Sequence, residues 1–223
     1  MPSRHIEKDV FIVTRENKVT LYFVRHGETQ YNVERRMQGF CDSPLTEKGI
    51  SQAKSVGKGL EDIPFIAAYS SDSQRVQDTA KHAIGERNIP LIIDKRLKEM
   101  NFGVLEALLE DEIPSLYGDA LDKLFSLDVN ACAPEGESYA QLFTRTEEAV
   151  KEIVEKHASE GGNILIFSHG VTIGNYIIQV TKSKEFQVHE NCSVSVVSYE
   201  NGQLQVEKIA DTSFRNEGSK QVN

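Results

Sequence analysis

The chain has 223 residues, of which 39% are hydrophobic and 26% charged, as expected for one globular domain with a sizeable core. Its formal net charge of −9 disfavours a nucleic-acid binder, so an anionic substrate would need cations gathered in one pocket. The three cysteines are widely spaced and no apolar run reaches membrane length, which predicts a reduced cytoplasmic protein with no membrane partner.

Four apolar runs that end in polar residues are predicted as strands, at 19–24, 64–69, 90–94 and 163–167. Residues 10–13 are a weaker strand candidate, and residues 193–199 and 203–209 form a predicted hairpin around Asn201-Gly202. Between them lie a polar loop at 27–44 and helices at 46–60, from Ser71 to 84, at 138–157 and after His169. Thr46, Ser71 with Gln74, and Ser138 with Gln141 are the predicted N-terminal caps.

Alternating strands and helices predict an α/β protein, a three-layer α/β/α sandwich around a mostly parallel sheet. We expect one domain over 1–223, with its core at about 19–105 and 136–210. An acidic, helical cap insertion is predicted at about 106–135, with Leu116, Leu121, Leu124 and Leu127 as its apolar spine. A polar, frayed tail is predicted at 211–223.

Chemically useful side chains follow four of the predicted strands. They are Arg25 with His26, Arg75, Glu99 and His169. Because the carboxyl ends of parallel strands share one edge of a sheet, these residues are expected to meet in one crevice. Two guanidinium groups could bind phosphoryl oxygens, an imidazole could attack phosphorus, and a carboxylic acid could protonate the leaving alkoxide.

Each of these residues also has a structural alternative. Arg75 could be a surface residue in the first turn of a helix, and Glu99 is one of 34 acidic residues. His26 and His169 are harder to explain in that way, because each directly follows a buried strand and precedes a glycine. The remaining histidines are expected to be structural or solvated.

The segment RHGETQYN resembles the signature of the histidine phosphatase superfamily, the phosphoglycerate mutase-like group, in its first branch. The resemblance continues through SPLTEKG, SSDSQRVQDTA, LKEMNFG and SHG, over roughly residues 19–210. It implies a phosphoglycerate mutase-like fold, a small phosphorylated substrate and a reaction without metal or organic cofactor. The oligomeric state stays open.

The resemblance implies a role for each matching residue. His26 would become phosphohistidine, with a carbonyl or carboxylate accepting from its other nitrogen. Glu99 would be the general acid and then the base, and an acidic optimum follows if Glu99 must be protonated and His169 cationic. The groups expected to bind the phosphoryl oxygens or the rest of the substrate are Arg25, Arg75, His169, Asn32, Thr29, Gly39 and Gly170.

The segment after Glu99 favours a phosphatase over a phosphoglycerate mutase. A mutase needs cations for a second anionic group, yet between Met100 and Thr144 nine acidic residues accompany one cation, Lys123. Those acids could instead be the solvated face of the cap. Ala107 replaces a glycine common in the family, which predicts a differently shaped cap, and Arg35 with Arg36 could form a second anion subsite or lie in solvent.

The leading hypothesis is therefore a phosphomonoesterase acting through phospho-His26. A cofactor-dependent phosphoglycerate mutase is the first alternative. The second is an inactive relative that binds phosphorylated ligands or a partner, against which the complete set of reactive residues argues.

Overall fold

A computed structural model describes residues 17–126, 128–183 and 185–222, so the strand candidate at 10–13 lies outside the described residues. The described chain has six strands, β1 to β6 in chain order: Val19–Arg25, Phe65–Ser70, Leu91–Ile93, Gly162–Ser168, Val194–Glu200 and Gln203–Asp211. They form one sheet in the order β3-β2-β4-β1-β5-β6. The strands β3, β2, β4 and β1 are parallel, and β5 and β6 form an antiparallel hairpin at the β1 side.

The helices are α1 to α8 in chain order: Gln30–Glu34, Glu47–Gly59, Gln74–Ile84, Ile113–Tyr117, Ala120–Leu124, Tyr139–His157, Gly170–Thr181 and Ser213–Val222. Alternate residues of the central strands pack in two separate apolar clusters, one under α6 and α7 and one under α2 and α3. This arrangement confirms the predicted α/β sandwich with a mostly parallel sheet. No helix among the described residues is both long and apolar enough to cross a membrane.

The central position of β1 brings the predicted reactive residues together. Arg25 is the last residue of β1 and pairs with Ser168, the last residue of the parallel strand β4. On the other side of β4, Ser70 ends β2 and pairs with Phe167, one residue before the end of β4. The loops that follow these three strands therefore leave the sheet at one edge, as the sequence predicts.

Two of the three predicted helix caps are confirmed. The side chain of Thr46 accepts from the Gly49 amide at the start of α2, and Ser138 with Gln141 forms a complete capping box at α6. The third prediction is wrong, because Ser73 is the N-cap of α3 and Ser71 uses its hydroxyl elsewhere. The sequence prediction also lacks the short helix α1 within the polar loop.

The predicted cap insertion contains α4 and α5 and has its own small core. Leu124 is fully buried there, together with Leu105 and Ile113. Leu116 is 58% exposed, so its assignment to the apolar spine is wrong. Residue 127 lies outside the described residues. The two helices are only five residues each, too short for a regular repeat to identify which leucine faces inward.

The frayed tail predicted at 211–223 is also wrong, because most of it forms α8, which packs along α2. The two helices approach so closely that a Cβ on Gly218 would lie 1.9 Å from the carbonyl oxygen of Ser55. Phe214 packs against the apolar cluster under α2. The polar composition of the segment hides this contact, because backbone and glycine form much of it.

Ala107 adopts a left-handed backbone conformation, with φ of 64°. Glycine adopts this conformation without strain, which explains why the family commonly has glycine here. Ala107 takes the backbone geometry that glycine favours. The cap therefore does not need a different shape to accommodate alanine. The amide of Ala107 donates to the Met37 carbonyl at 2.9 Å and fixes the turn.

We predict that Ala107→Gly stabilises the protein by about 1 kcal/mol, because it removes the contact of Cβ with the backbone in the left-handed region. Equilibrium unfolding in urea measures the change. Ala140→Gly is the control, since Ala140 lies in the first turn of α6, where glycine lowers stability. An equal loss of stability in both variants would contradict the explanation.

Candidate active site

A cavity of about 450 Å³ opens at the carboxyl edge of the sheet. Five of the residues predicted from the sequence line it: Arg25, His26, Asn32, Glu99 and Gly170. Arg75 and His169 are buried directly beside them, and the rings of His26 and His169 lie 5.4 Å apart between centroids. The structure thus brings together the two arginines, two imidazoles and one carboxylate that the strand ends predict.

One ring nitrogen of His26 is hydrogen-bonded to the backbone and the other is left unprotonated. Its Nδ1 lies 2.8 Å from the carbonyl oxygen of Gly27, which can only accept, so Nδ1 carries the proton and Nε2 has a lone pair. This confirms the predicted carbonyl partner. Burial lowers the pKa of His26 well below its usual 6.5, and the nearby Arg75 and Arg25 lower it further. The imidazole is therefore neutral at pH 7.

Arg75 is 1% exposed, and each of its two terminal nitrogens donates two hydrogen bonds within the protein. Nη1 donates to the Cys41 carbonyl and to Asp42 Oδ1, both at 2.9 Å. Nη2 donates to the Gly39 carbonyl at 2.8 Å and to His169 Nδ1 at 3.0 Å. These contacts rule out the alternative of a surface arginine.

His169 links Arg75 to Ser71. Since its Nδ1 accepts from Arg75, its Nε2 carries the proton and donates to Ser71 Oγ at 2.9 Å. Burial and the charge of Arg75 hold the pKa of His169 well below 6.5. One condition for an acidic optimum, a cationic His169, is thus not met in this structure, where the arginines already supply the positive charge.

Arg25 is anchored by the loop that precedes β5. Its Nη1 donates to the carbonyl oxygen of His189, a residue whose ring nitrogens contact Gln187 O and Ser195 Oγ. Burial lowers the pKa of His189 to about 4, so this histidine is a neutral structural residue, as predicted. Among the described residues, the buried Nε–H groups of Arg25 and Arg75 have no hydrogen-bond partner.

Glu99 is 5% exposed and oriented by the amino end of α7. Its Oε1 accepts from the amides of Met100 and Thr172 and from the Thr172 hydroxyl, at 2.9 to 3.0 Å. Among the described residues, its Oε2 accepts from the Val171 amide alone, at 3.2 Å. Oε2 is therefore the oxygen with capacity to exchange a proton with a group in the cavity.

Asn191 orients Asn32, and the sequence analysis did not identify it. Asn32 Oδ1 accepts from the Thr29 amide and from Asn191 Nδ2, both at 3.2 Å. Both donors contact the oxygen, so the amide group of Asn32 is fixed and its Nδ2 can donate to an anion in the cavity. The same Asn191 Nδ2 also contacts the backbone carbonyl of His26 at 3.1 Å.

Besides Arg75 and His169, two residues predicted to bind substrate lie outside the cavity lining. Thr29 is fully buried as the N-cap of α1, where its hydroxyl accepts from the Asn32 amide and donates to Gln38 Oε1. Gly39 supplies a carbonyl to Arg75, and a Cβ there would lie 2.2 Å from the Met100 carbonyl oxygen. Thr29 thus supports Asn32 and Gly39 supports Arg75, and neither lines the cavity itself.

Two further charged residues hold the loops of the site. The Glu106 carboxylate accepts from the amides of Phe40 and Cys41 at 2.8 Å, and so fixes the loop whose carbonyls bind Arg75. Arg145 donates to the carbonyls of Lys98 and Glu99 and to the carboxylate of Glu137. Nothing in the local pattern separates these residues from the many surface charges, since their partners are backbone atoms distant in sequence.

Residues 21–212 match the family model of the histidine phosphatase superfamily (branch 1). The probable phosphoglycerate mutase GpmB of Escherichia coli O1:K1 / APEC is 35% identical over 184 residues, 81% of this chain and 85% of the relative. The crystal structure of phosphoglycerate mutase from Bacillus anthracis str. Sterne is similar with a TM-score of 0.84 and 35% identity, covering 92% of this chain and 98% of that one. YhfR of Bacillus stearothermophilus is similar with a TM-score of 0.84 and 36% identity, covering 88% and 99%.

The lowered pKa values predict that both buried imidazoles stay neutral as the pH falls through 6.5, and gain a proton only well below it. Histidine resonances followed by NMR from pH 8 to 5 measure this, with His26→Gln and His169→Gln for assignment. A free imidazole would be half protonated at about 6.5. A midpoint of 6.5 or higher for either residue would contradict the electrostatic account.

We predict that Asn191→Ala weakens the binding of inorganic phosphate by roughly five- to tenfold, the effect of one lost hydrogen bond of about 1 kcal/mol. Without Asn191, the Asn32 amide is no longer held with Nδ2 toward the cavity. Competition with a chromogenic ester or calorimetry measures the affinity. Asn163→Ala is the control, because Asn163 donates to the Pro64 carbonyl in a different part of the chain. Equal affinities in both variants would exclude the orienting role.

Proposed function

The chain belongs to branch 1 of the histidine phosphatase superfamily, which contains phosphatases and mutases, and on that basis we propose that it is a phosphomonoesterase of small phosphorylated metabolites. Its reaction would pass through phosphohistidine at His26 and end on water. The two arginines would supply the positive charge, so that no metal or organic cofactor takes part. Three unpaired cysteines and the absence of a membrane-crossing helix in the described chain support the further proposal of a cytoplasmic location.

The observation that carries this proposal is the pair of buried arginines with unsatisfied Nε–H groups beside a neutral imidazole. A buried donor without a partner costs free energy, and a phosphoryl group offers several oxygens to satisfy such donors. The Asn32 amide adds a neutral donor at the same cavity. These features together support binding of a phosphate ester.

In the first step, the lone pair on His26 Nε2 attacks phosphorus, and the bond between phosphorus and the ester oxygen breaks. Glu99, protonated at Oε2, transfers that proton to the departing oxygen, so the product leaves as an alcohol. The proton on His26 Nδ1 stays on that nitrogen during the attack and keeps its hydrogen bond to the Gly27 carbonyl. Arg25 and Arg75 balance the negative charge on the transferring group.

In the second step, a water molecule attacks the phosphorus of phosphohistidine. The Glu99 carboxylate takes a proton from that water, the bond from His26 Nε2 to phosphorus breaks, and the electron pair returns to the nitrogen. Inorganic phosphate leaves, and both residues are restored. One carboxyl group therefore serves as acid and then as base, which its position at the cavity wall supports.

The charges around the cavity support water, rather than a second phosphorylated acid, as the acceptor. Arg36 lines the cavity, but it is bound to the Glu34 carboxylate at 2.6 Å and to the Ala107 carbonyl at 2.9 Å. Glu110, which also lines the cavity, is paired with Arg35 at 2.9 Å. A second anionic group would meet one engaged cation and one carboxylate, which favours a phosphatase.

The mutase remains the alternative function, because two of the similar proteins bear that name. An inactive ligand-binding relative is less compatible with the site, since binding alone requires neither an exposed nitrogen lone pair nor a carboxyl group with an available oxygen. The two active alternatives differ in the fate of the phosphoryl group, which can be measured directly.

We predict that mixing the protein with a ³²P-labelled ester traps a base-stable, acid-labile phosphoprotein, and that His26→Ala abolishes it and lowers kcat by about 10⁴-fold or more. His82→Ala, outside the site, is the matched control. Hydrolysis by His26→Ala at the normal rate would disprove the mechanism. Turnover at the buffer rate on every ester by the unmodified protein would favour the inactive relative.

Feeding 3-phosphoglycerate with a trace of 2,3-bisphosphoglycerate separates the two reactions, followed by ³¹P NMR. We expect free phosphate to accumulate, because Arg36, which lines the outer cavity, is already bound to Glu34. Accumulation of 2-phosphoglycerate without free phosphate would establish the mutase instead.

A further inference from the structure

Besides the reacting groups, the cavity is lined by an apolar wall of six residues. That wall is formed by Met37, Phe102, Phe125, Val171, Phe186 and Val188. These residues come from the loop after α1, the turn after Glu99, the end of α5, the first turn of α7 and the loop before β5. Elements distant in sequence thus contribute apolar side chains to the cavity that holds the reacting groups.

The polar residues of the outer cavity already have partners within the protein. Arg36 and Glu110 are engaged as described above, and Gln38 accepts from the Thr29 hydroxyl and donates to Ser43 Oγ, both at 2.8 Å. A carboxylate or phosphate here would compete with Glu34 for Arg36 and would face the Glu110 carboxylate. An apolar group would only need to displace water from the wall.

Two of the apolar residues remain exposed at the mouth. Phe125 is 47% exposed and Val188 is 75% exposed, from opposite parts of the chain. Scattered exposed apolar residues need no explanation, but those that border a cavity holding convergent polar groups are typical of a ligand-binding surface. A ligand that reaches the mouth would bury both side chains.

We propose that the leaving group of the preferred substrate is an uncharged apolar alcohol, a medium-chain alkyl or an aryl group. The phosphoryl group binds at Arg25 and the neutral His26, and the carbon skeleton lies along the apolar wall. This inference deepens the phosphatase proposed above and rests on it. It assigns Phe125 and Val188 to the recognition of the substrate.

A series of straight-chain monoalkyl phosphates, from methyl to octyl, tests the proposal. Leaving-group acidity is nearly constant along the series, so changes in kcat/KM report on contacts with the wall. We expect kcat/KM to rise by up to about fourfold for each CH₂ group until the chain reaches the mouth, since a buried CH₂ contributes about 0.8 kcal/mol. The affinities of the matching alkylphosphonates, which cannot be hydrolysed, should rise in parallel.

A matched pair of valines provides the control. Val188→Asn should flatten the dependence on chain length, because a polar side chain would replace part of the wall. Val33→Asn should leave it unchanged, since Val33 is 58% exposed but does not line the cavity. Circular dichroism establishes that both variants are folded, as expected for exposed positions. An equal dependence of kcat/KM on chain length in the two variants would show that Val188 does not contact the substrate.

The outcomes separate this inference from the proposed function. Hydrolysis that depends on His26 but not on chain length would overturn the apolar leaving group and leave the phosphatase in place. A higher kcat/KM for a sugar phosphate, phosphoglycerate or cationic ester than for octyl phosphate would do the same. Hydrolysis of no ester, together with phosphonate affinities that do not change along the series, would overturn both.

Discussion

The burial of the Arg75 guanidinium is the interaction on which the rest of the site depends. A charge removed from water is costly unless it is paired and hydrogen-bonded, and Arg75 is 1% exposed. Two backbone carbonyls, the Asp42 carboxylate and His169 satisfy its terminal nitrogens. The loop carrying those carbonyls has to follow one path, which Glu106 fixes from the cap side by accepting from its amides. The cap insertion is therefore part of the support for the phosphate site.

The same positive charge determines the protonation of the imidazoles. Burial disfavours the charged form of His26, and the two arginines act in the same direction. A nucleophile in this position needs an unprotonated nitrogen, and a phosphate site needs positive charge, so one arrangement provides both. The Gly27 carbonyl completes it by fixing the proton on Nδ1.

The acidic cap illustrates how a charge pattern can combine several roles. Of the nine acidic residues between Met100 and Thr144, Glu106 and Glu137 bind backbone amides or Arg145 in the interior, and Glu110 lines the cavity. The acidic segment is predicted to repel a second anion. Of these three residues, only Glu110 is placed to do so, because it lines the cavity. Specificity in the outer cavity rests instead on the apolar wall and on cations that already have partners.

The sequence by itself determined the parallel sheet, the order of its strands along the chain and the reactive residues at their ends. Strand periodicity, caps such as Ser138 and the family signature are local, and local patterns survive without knowledge of distant contacts. Only the tertiary structure decided that Ser71 serves His169 instead of a helix, that α8 packs on α2, and that Asn191 orients Asn32. Each of these contacts joins atoms far apart in sequence, often backbone carbonyls and amides. Because backbone groups are common to all residue types, the residue types do not predict these contacts.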